Sequence, residues 1–228
     1  MRVFLALSLL TASATAQAQS PAPSNDGRYV PEVAREAAAE GNAAFARRDL
    51  ERAYRAYSTV LELAPDNLLG LINLGVVEYS LKKFDDAESH LKRAVQIKLN
   101  ASPAWLTLGI IYMDQNRLDE ALAALAQATL YDPRNARGRN YLGVVVGRKG
   151  WIDGAQAELR KAVEIDPNYS DAHFNLAVFY LEGKPPSVEL ARRHYFRAIE
   201  LGARPDPEIE KTLKKEPVAS PMPKPPAR

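Results

Sequence analysis

The sequence predicts an all-α solenoid of five helix-turn-helix repeats closed by a short C-terminal helix. Two observations predict it. Small residues recur on a 34-residue period: Gly41, Gly75, Gly109 and Gly143 share a register with Ala177 at the fifth place, and Ala53, Ala87, Ala121 and Ala155 form a second row that Ala191 completes after a two-residue insertion. Between them, apolar residues at offsets of three and four, such as Leu71 and Leu74 followed by Phe84, Ala87, Leu91, Ala94 and Val95, draw one apolar stripe per helix. The small residues are expected where the two helices of a repeat cross, because larger ones would push the axes beyond the roughly 8–10 Å of packed helices.

Taken in order, residues 1–18 have the build of a secretory signal peptide: Arg2, the apolar run from Val3 to Leu10, and small residues ending at Ala18. The run falls short of the roughly 18–20 residues of a membrane span, so no membrane insertion is expected after cleavage. The chain has no cysteine, which removes disulfides, thiolate chemistry and lipidation of an N-terminal cysteine. The expected location is therefore exported, periplasmic or secreted. Residues 19–30, rich in Pro, Ser, Asn and Gly, read as a disordered linker, and the solenoid is expected over 31–215.

Within it the repeats run over 34–67, 68–101, 102–135, 136–169 and 170–205. The first is alanine-rich and polar on its leading helix, with Ala37, Glu40 and Ala44, as suits an end that nothing precedes. The second lacks a closing Pro, and Ser102 and Pro103 are expected to cap and open the next helix instead. Glu51, Asp85, Asp119, Asp153 and Glu189 all fall at the start of a second helix, where the positive end of the helix dipole stabilises a carboxylate. The fifth repeat carries its insertion in the turn Glu182 to Ser187, with Ser187 the expected cap of the helix that follows. Asp206, Pro207 and Glu208 open a capping helix over 206–215, and 216–228 is a Pro-rich disordered tail.

The stretch Ser102 to Pro133 places Trp105, Leu108, Gly109, Tyr112, Ala121, Leu125, Ala128 and Pro133 at the spacings of the tetratricopeptide repeat, which this chain resembles. The resemblance implies a right-handed superhelix whose first helices line a concave groove that takes an extended peptide or a partner helix. The groove residues it implies are Leu69, Ile72, Asn73, Val76 and Tyr79, then Leu106, Thr107, Ile110 and Met113, then Arg137, Asn140, Tyr141 and Val144, and finally Phe174, Asn175 and Val178. They make an apolar strip with scattered amides, expected to be exposed and available to a ligand. The carboxylate clamp of chaperone-binding members is not matched: Asn42 and Asn73 supply its amides, but Ala38, Pro103 and Thr107 stand where its basic residues belong. An asparagine ladder like that of the O-linked N-acetylglucosamine transferase superhelix is matched at Asn73 and Asn175 and interrupted at Ala39, Thr107 and Tyr141.

No constellation for catalysis is present. His90, His173 and His194 form no H-x-x-x-H or H-E-x-x-H pair, and there is no G-x-S-x-G, P-loop or G-x-G-x-x-G. No enzyme activity, metal or cofactor is expected. Lys and Arg (30) and Asp and Glu (28) are interleaved through every repeat, without the basic face of a nucleic-acid binder. The expected function is a non-catalytic protein-interaction scaffold of the bacterial cell envelope, with a protein or peptide partner. The alternative is an accessory subunit of an envelope enzyme or polymer-export complex.

Overall fold

In the computed structural model, residues 32–215 are described. The signal peptide, the linker before the solenoid and the Pro-rich tail expected from the sequence lie outside them. The described residues form eleven α-helices: α1 (Glu32–Ala46), α2 (Leu50–Leu63), α3 (Leu68–Ser80), α4 (Phe84–Ile97), α5 (Ser102–Asp114), α6 (Leu118–Tyr131), α7 (Ala136–Arg148), α8 (Ile152–Ile165), α9 (Ser170–Glu182), α10 (Val188–Glu200) and α11 (Pro207–Lys215). Each odd-numbered helix up to α9 packs on the even-numbered helix that follows it, giving the five expected helical hairpins. None of these helices is long and apolar enough to cross a membrane.

The chain divides into two compact units, the first ending at Pro133 and the second beginning at Arg134. In the first, α2 packs on α3 and α4 on α5, and α3 also touches α5; in the second, α8 packs on α9 and α7 touches α9.

The glycine row explains the hairpins. A methyl group added to Gly75 would lie 2.6 Å from Leu91, to Gly109 2.5 Å from Leu125, and to Gly143 2.7 Å from Leu159. What glycine admits is thus a large side chain sixteen residues on, more than the partner helix's backbone. At Gly41 the residue admitted is Tyr57, and after the insertion Tyr195 holds the corresponding place. The alanine row, Ala53, Ala87, Ala121, Ala155 and Ala191, is wholly buried.

Four of the five turns within hairpins use one device. Arg48, Lys82 and Asn116 adopt left-handed φ of 61°, 64° and 61°, and Gly150 follows at 87°. Past each, an amide reaches back to the helix it has left: Asp49 N to Ala44 O, Lys83 N to Glu78 O, Arg117 N to Tyr112 O and Trp151 N to Val146 O, at 2.8–3.1 Å. In the fifth repeat Ser187 N reaches Tyr180 O at 2.9 Å, so the same bond closes over the two inserted residues.

Helix starts follow two chemistries. Asn67 and Asn135 cap α3 and α7 by accepting from Gly70 N (2.8 Å) and Gly138 N (2.9 Å). Ser102 does not cap, contrary to expectation. It is the first residue of α5 after Ala101, and its hydroxyl donates to Ala128 O at 2.9 Å, tying α5 to the end of α6. Ser170 does the same to Ala198 O at 3.2 Å. Ser187 occupies the cap position of α10 but makes no side-chain cap bond. The carboxylate row sits as expected in the first turns of α2, α4, α6, α8 and α10. At the end of the second unit, Asp206 Oδ1 accepts from Glu208 N (2.9 Å) and Ile209 N (3.3 Å), and α11 buries Ile209 and Leu213. Tyr195 fastens it by accepting from Asp206 N at 2.8 Å.

Candidate ligand-binding face

The residues implied for the groove lie on α3 and α5 in the first unit and on α7 and α9 in the second. In the first unit Leu69 is 68% exposed and Asn73 and Val76 are half-buried. Ile72, Leu106, Thr107, Ile110 and Met113 are buried. In the second, Arg137 is half-buried, while Asn140, Tyr141, Val144, Phe174, Asn175 and Val178 are buried. The expectation of an exposed apolar strip is thereby corrected. Within each unit consecutive first helices touch, α3 with α5 and α7 with α9, so side chains assigned to the groove also belong to the seam between those helices.

The amides fare differently in the two units. In the first, Asn42 Oδ1 accepts from Tyr57 Oη at 2.7 Å and from Asn73 Nδ2 at 3.5 Å. Asn42 is exposed, so this pair is wet at its upper edge. Burial pushes the Tyr57 hydroxyl up to about 12. Thr107, at the position of the next amide, turns its hydroxyl onto Pro103 O at 2.9 Å. In the second unit, Asn175 Nδ2 donates to Asn140 Oδ1 at 3.0 Å, and Asn140 Nδ2 reaches Tyr169 Oη at 3.5 Å. The Asn175–Asn140 bond is buried, and burial holds the Tyr169 hydroxyl well above its usual range. These side chains are therefore not free in the unliganded protein, as the sequence reading expected, but bonded to one another.

One atom is left over. Asn175 Oδ1 is buried and accepts no hydrogen bond. A desolvated amide oxygen without a donor costs about 1–3 kcal/mol, which a ligand N–H can return. Phe174 and Tyr141 lie beside the two asparagines in sequence, and the Arg137 guanidinium is 5.5 Å from the Tyr141 ring.

Two tyrosines missed by sequence reasoning complete these rows. Tyr57 could have been found, since it replaces the Leu that follows Gly75, Gly109 and Gly143 at the same offset. Tyr169 carried no such signal. The histidines also acquire partners that spacing did not suggest. His90 Nδ1 lies 2.8 Å from Glu78 Oε2, and Glu78 is 1% exposed; this hydrogen bond raises the His90 pKa. His173 Nε2 faces Pro167 O at 3.1 Å, so that nitrogen carries the proton and Nδ1 is left to accept from His194 Nδ1 at 2.9 Å. Burial lowers the His194 pKa to about 4, and the adjoining His173 further opposes its protonation.

Comparison with known proteins agrees with the hairpin geometry. Family profiles described as tetratricopeptide repeat match residues 38–102, 79–142, 142–169 and 158–200. The protein O-mannosyl-transferase Tmtc3 of Drosophila melanogaster is 29% identical over 126 residues, 55% of this chain but 14% of the relative. The chain thus spans about a seventh of that protein's length. The crystal structure of MamA protein superposes with a TM-score of 0.62 at 26% identity, covering 83% of this chain and 99% of that one. YrrB, a TPR protein with an unusual peptide-binding site, gives 0.60 at 23% identity over 77% of this chain and 89% of its own. With its repeat region matched end to end from residue 38 to 200, this chain belongs to the tetratricopeptide repeat family.

Proposed function

We propose that this protein is a non-catalytic scaffold of the cell envelope, exported by the segment 1–18, that binds an extended segment of a protein partner along the amides of α7 and α9. The observation that carries the reading is Asn175 Oδ1, an acceptor placed in a buried position with nothing donating to it. Its amide nitrogen is already spent on Asn140. A backbone N–H of an extended peptide is the donor of matching chemistry. The peptide-binding site described for YrrB is consistent with this use of the fold. Export is supported by Arg2, the run from Val3 to Leu10 and the small residues before Gln19.

The test is capture of partners from envelope extracts by the mature protein, followed by affinity of the recovered partner for the parent and for Asn175→Ala. Loss of about tenfold or more is expected, from roughly 1–3 kcal/mol for one desolvated peptide group left unpaired. Undiminished binding by the variant would place the partner elsewhere. One enzyme recovered in stoichiometric amount would identify an accessory subunit; many clients would identify an adaptor.

A further inference from the structure

The turns of this protein repeatedly set a cation on an aromatic ring. Lys83 Nζ lies 3.9 Å from the Tyr54 centroid, and the Arg117 guanidinium 4.3 Å from that of Tyr112. Arg117 shows the full pattern: beyond the ring, its Nη1 donates to Glu88 Oε2 at 2.7 Å and its Nε to Glu120 Oε2 at 2.9 Å. One planar cation thus satisfies a ring face and two carboxylates together.

One repeat later the polarity is inverted. The residue preceding α8, in the place of Arg117, is Trp151. The repeat does not demand an aromatic there, since Asp49, Lys83 and Ser187 serve at the equivalent starts. Trp151 is 54% exposed, and Lys149 Nζ lies 5.3 Å from its ring centroid, so the indole is open to solvent and already attracts a cation from its own chain. The turn of the fifth repeat, with its inserted residues, lies alongside, and between the two turns is a cleft of about 460 Å³ lined by Trp151, Asp153, Glu182 and Lys184. Burial raises the Glu182 pKa, the mark of a carboxylate drawn partly out of water.

We infer that this cleft docks an arginine side chain of a protein partner. The indole takes the guanidinium face while Asp153 and Glu182 accept its N–H groups, which repeats between molecules what Arg117 does within one. A lysine fits less well, because an ammonium cannot stack and fork at once. The site uses none of the amide-row residues and does not depend on the reading given to them.

The test uses the full chain carrying Trp105→Phe, so that Trp151 is the one remaining indole, titrated with Nα-acetyl-arginine methylamide at low ionic strength and followed by fluorescence. Nα-acetyl-lysine methylamide and methyl glucoside are the comparison probes. Saturation by the arginine compound is expected, with the lysine compound weaker by roughly threefold to tenfold. Glu182→Gln should weaken arginine binding severalfold with an unchanged melting curve, and Lys149→Ala should strengthen it by removing the internal competitor. Absence of saturation, equal binding of the two cations, indifference to Glu182→Gln, or preference for the saccharide would each overturn the assignment.

Discussion

The first and second units each carry a pair of bonded amides, in opposite conditions. Asn42 and Asn73 meet at 3.5 Å with Asn42 exposed; Asn140 and Asn175 meet at 3.0 Å in a buried bond. Asn73 and Asn175 share a repeat position, while their partners Asn42 and Asn140 do not, and equal residue types therefore differ in what they cost and what they offer. A wet amide exchanges one partner for water with little change in energy, whereas a dry one with an unmatched oxygen holds a preference for a donor. The second unit is the better candidate for recognition for that reason, and the comparison can be broken in several ways.

The largest effect is expected from filling the glycine sites. A methyl group on Gly147 would lie 2.2 Å from the Phe179 ring, and Gly109→Leu would collide with Leu125. Each should destabilise its own unit by about 1–3 kcal/mol or more, whereas Ala39→Leu, on an exposed face of α1, should be nearly neutral. Denaturant midpoints read through Trp105 in the first unit and Trp151 in the second measure this unit by unit. Indistinguishable midpoints for Gly109→Leu and Ala39→Leu would disprove the packing register.

Next in size are the amides themselves. Asn140→Ala should cost roughly 1–3 kcal/mol of stability, since it leaves the buried Asn175 Nδ2 without its acceptor, and Asn73→Ala should cost much less. Melting temperatures of the two variants decide it, and a reversed order would mean that the buried bond does not form in solution.

The units should also respond to pH in opposite directions. A histidine in the unfolded chain binds a proton below about pH 6.5. Folded His194 does so only near 4, so between those values the unfolded state holds more protons and the second unit loses stability as pH falls. Folded His90 holds its proton to higher pH than the unfolded chain does. Its contribution to the first unit is therefore complete below about pH 6.5 and is lost as pH rises through the folded value. His194→Phe should flatten the acid limb and His90→Phe the other; parallel pH profiles for the two indole reporters would contradict the assignment. The smallest expected effect is at the dipole row, where Glu51→Gln should cost about a few tenths of a kcal/mol, readable as a shift in melting temperature that salt diminishes.

The hairpins were legible because a small residue every 34 positions is a geometric necessity, not a preference: Leu91, Leu125 and Leu159 each need the gap their glycine leaves. The closing helix was legible for a similar reason, since Asp206 and Pro207 specify a helix start locally. Less visible was anything set by a second partner. Ser102 has the composition of a cap, and only the proximity of Ala128 O shows why its hydroxyl turns away. Glu78 and His90 stand twelve residues apart, a spacing that is meaningless until α3 and α4 are folded against each other. The amide positions could be named from the repeat, but their mutual bonding depends on how closely α7 and α9 approach, and the boundary after Pro133 left no mark in the periodicity.

The left-handed turn residue has a practical consequence for redesign. Three of the four regular turns place a side chain at positive φ, Arg48 and Lys82 among them, where a β-carbon is unfavourable by about 1–2 kcal/mol, and the fourth already uses glycine. Arg48 donates its amide to Phe45 O, a bond that glycine would keep. Replacing Arg48 with glycine relaxes the backbone at the expense of a more disordered denatured chain, so the net gain is modest, but it can be made without altering either candidate binding region. The hinge between paired helices is thus the place where a thermally hardened version of this solenoid can be engineered with its candidate recognition surfaces untouched.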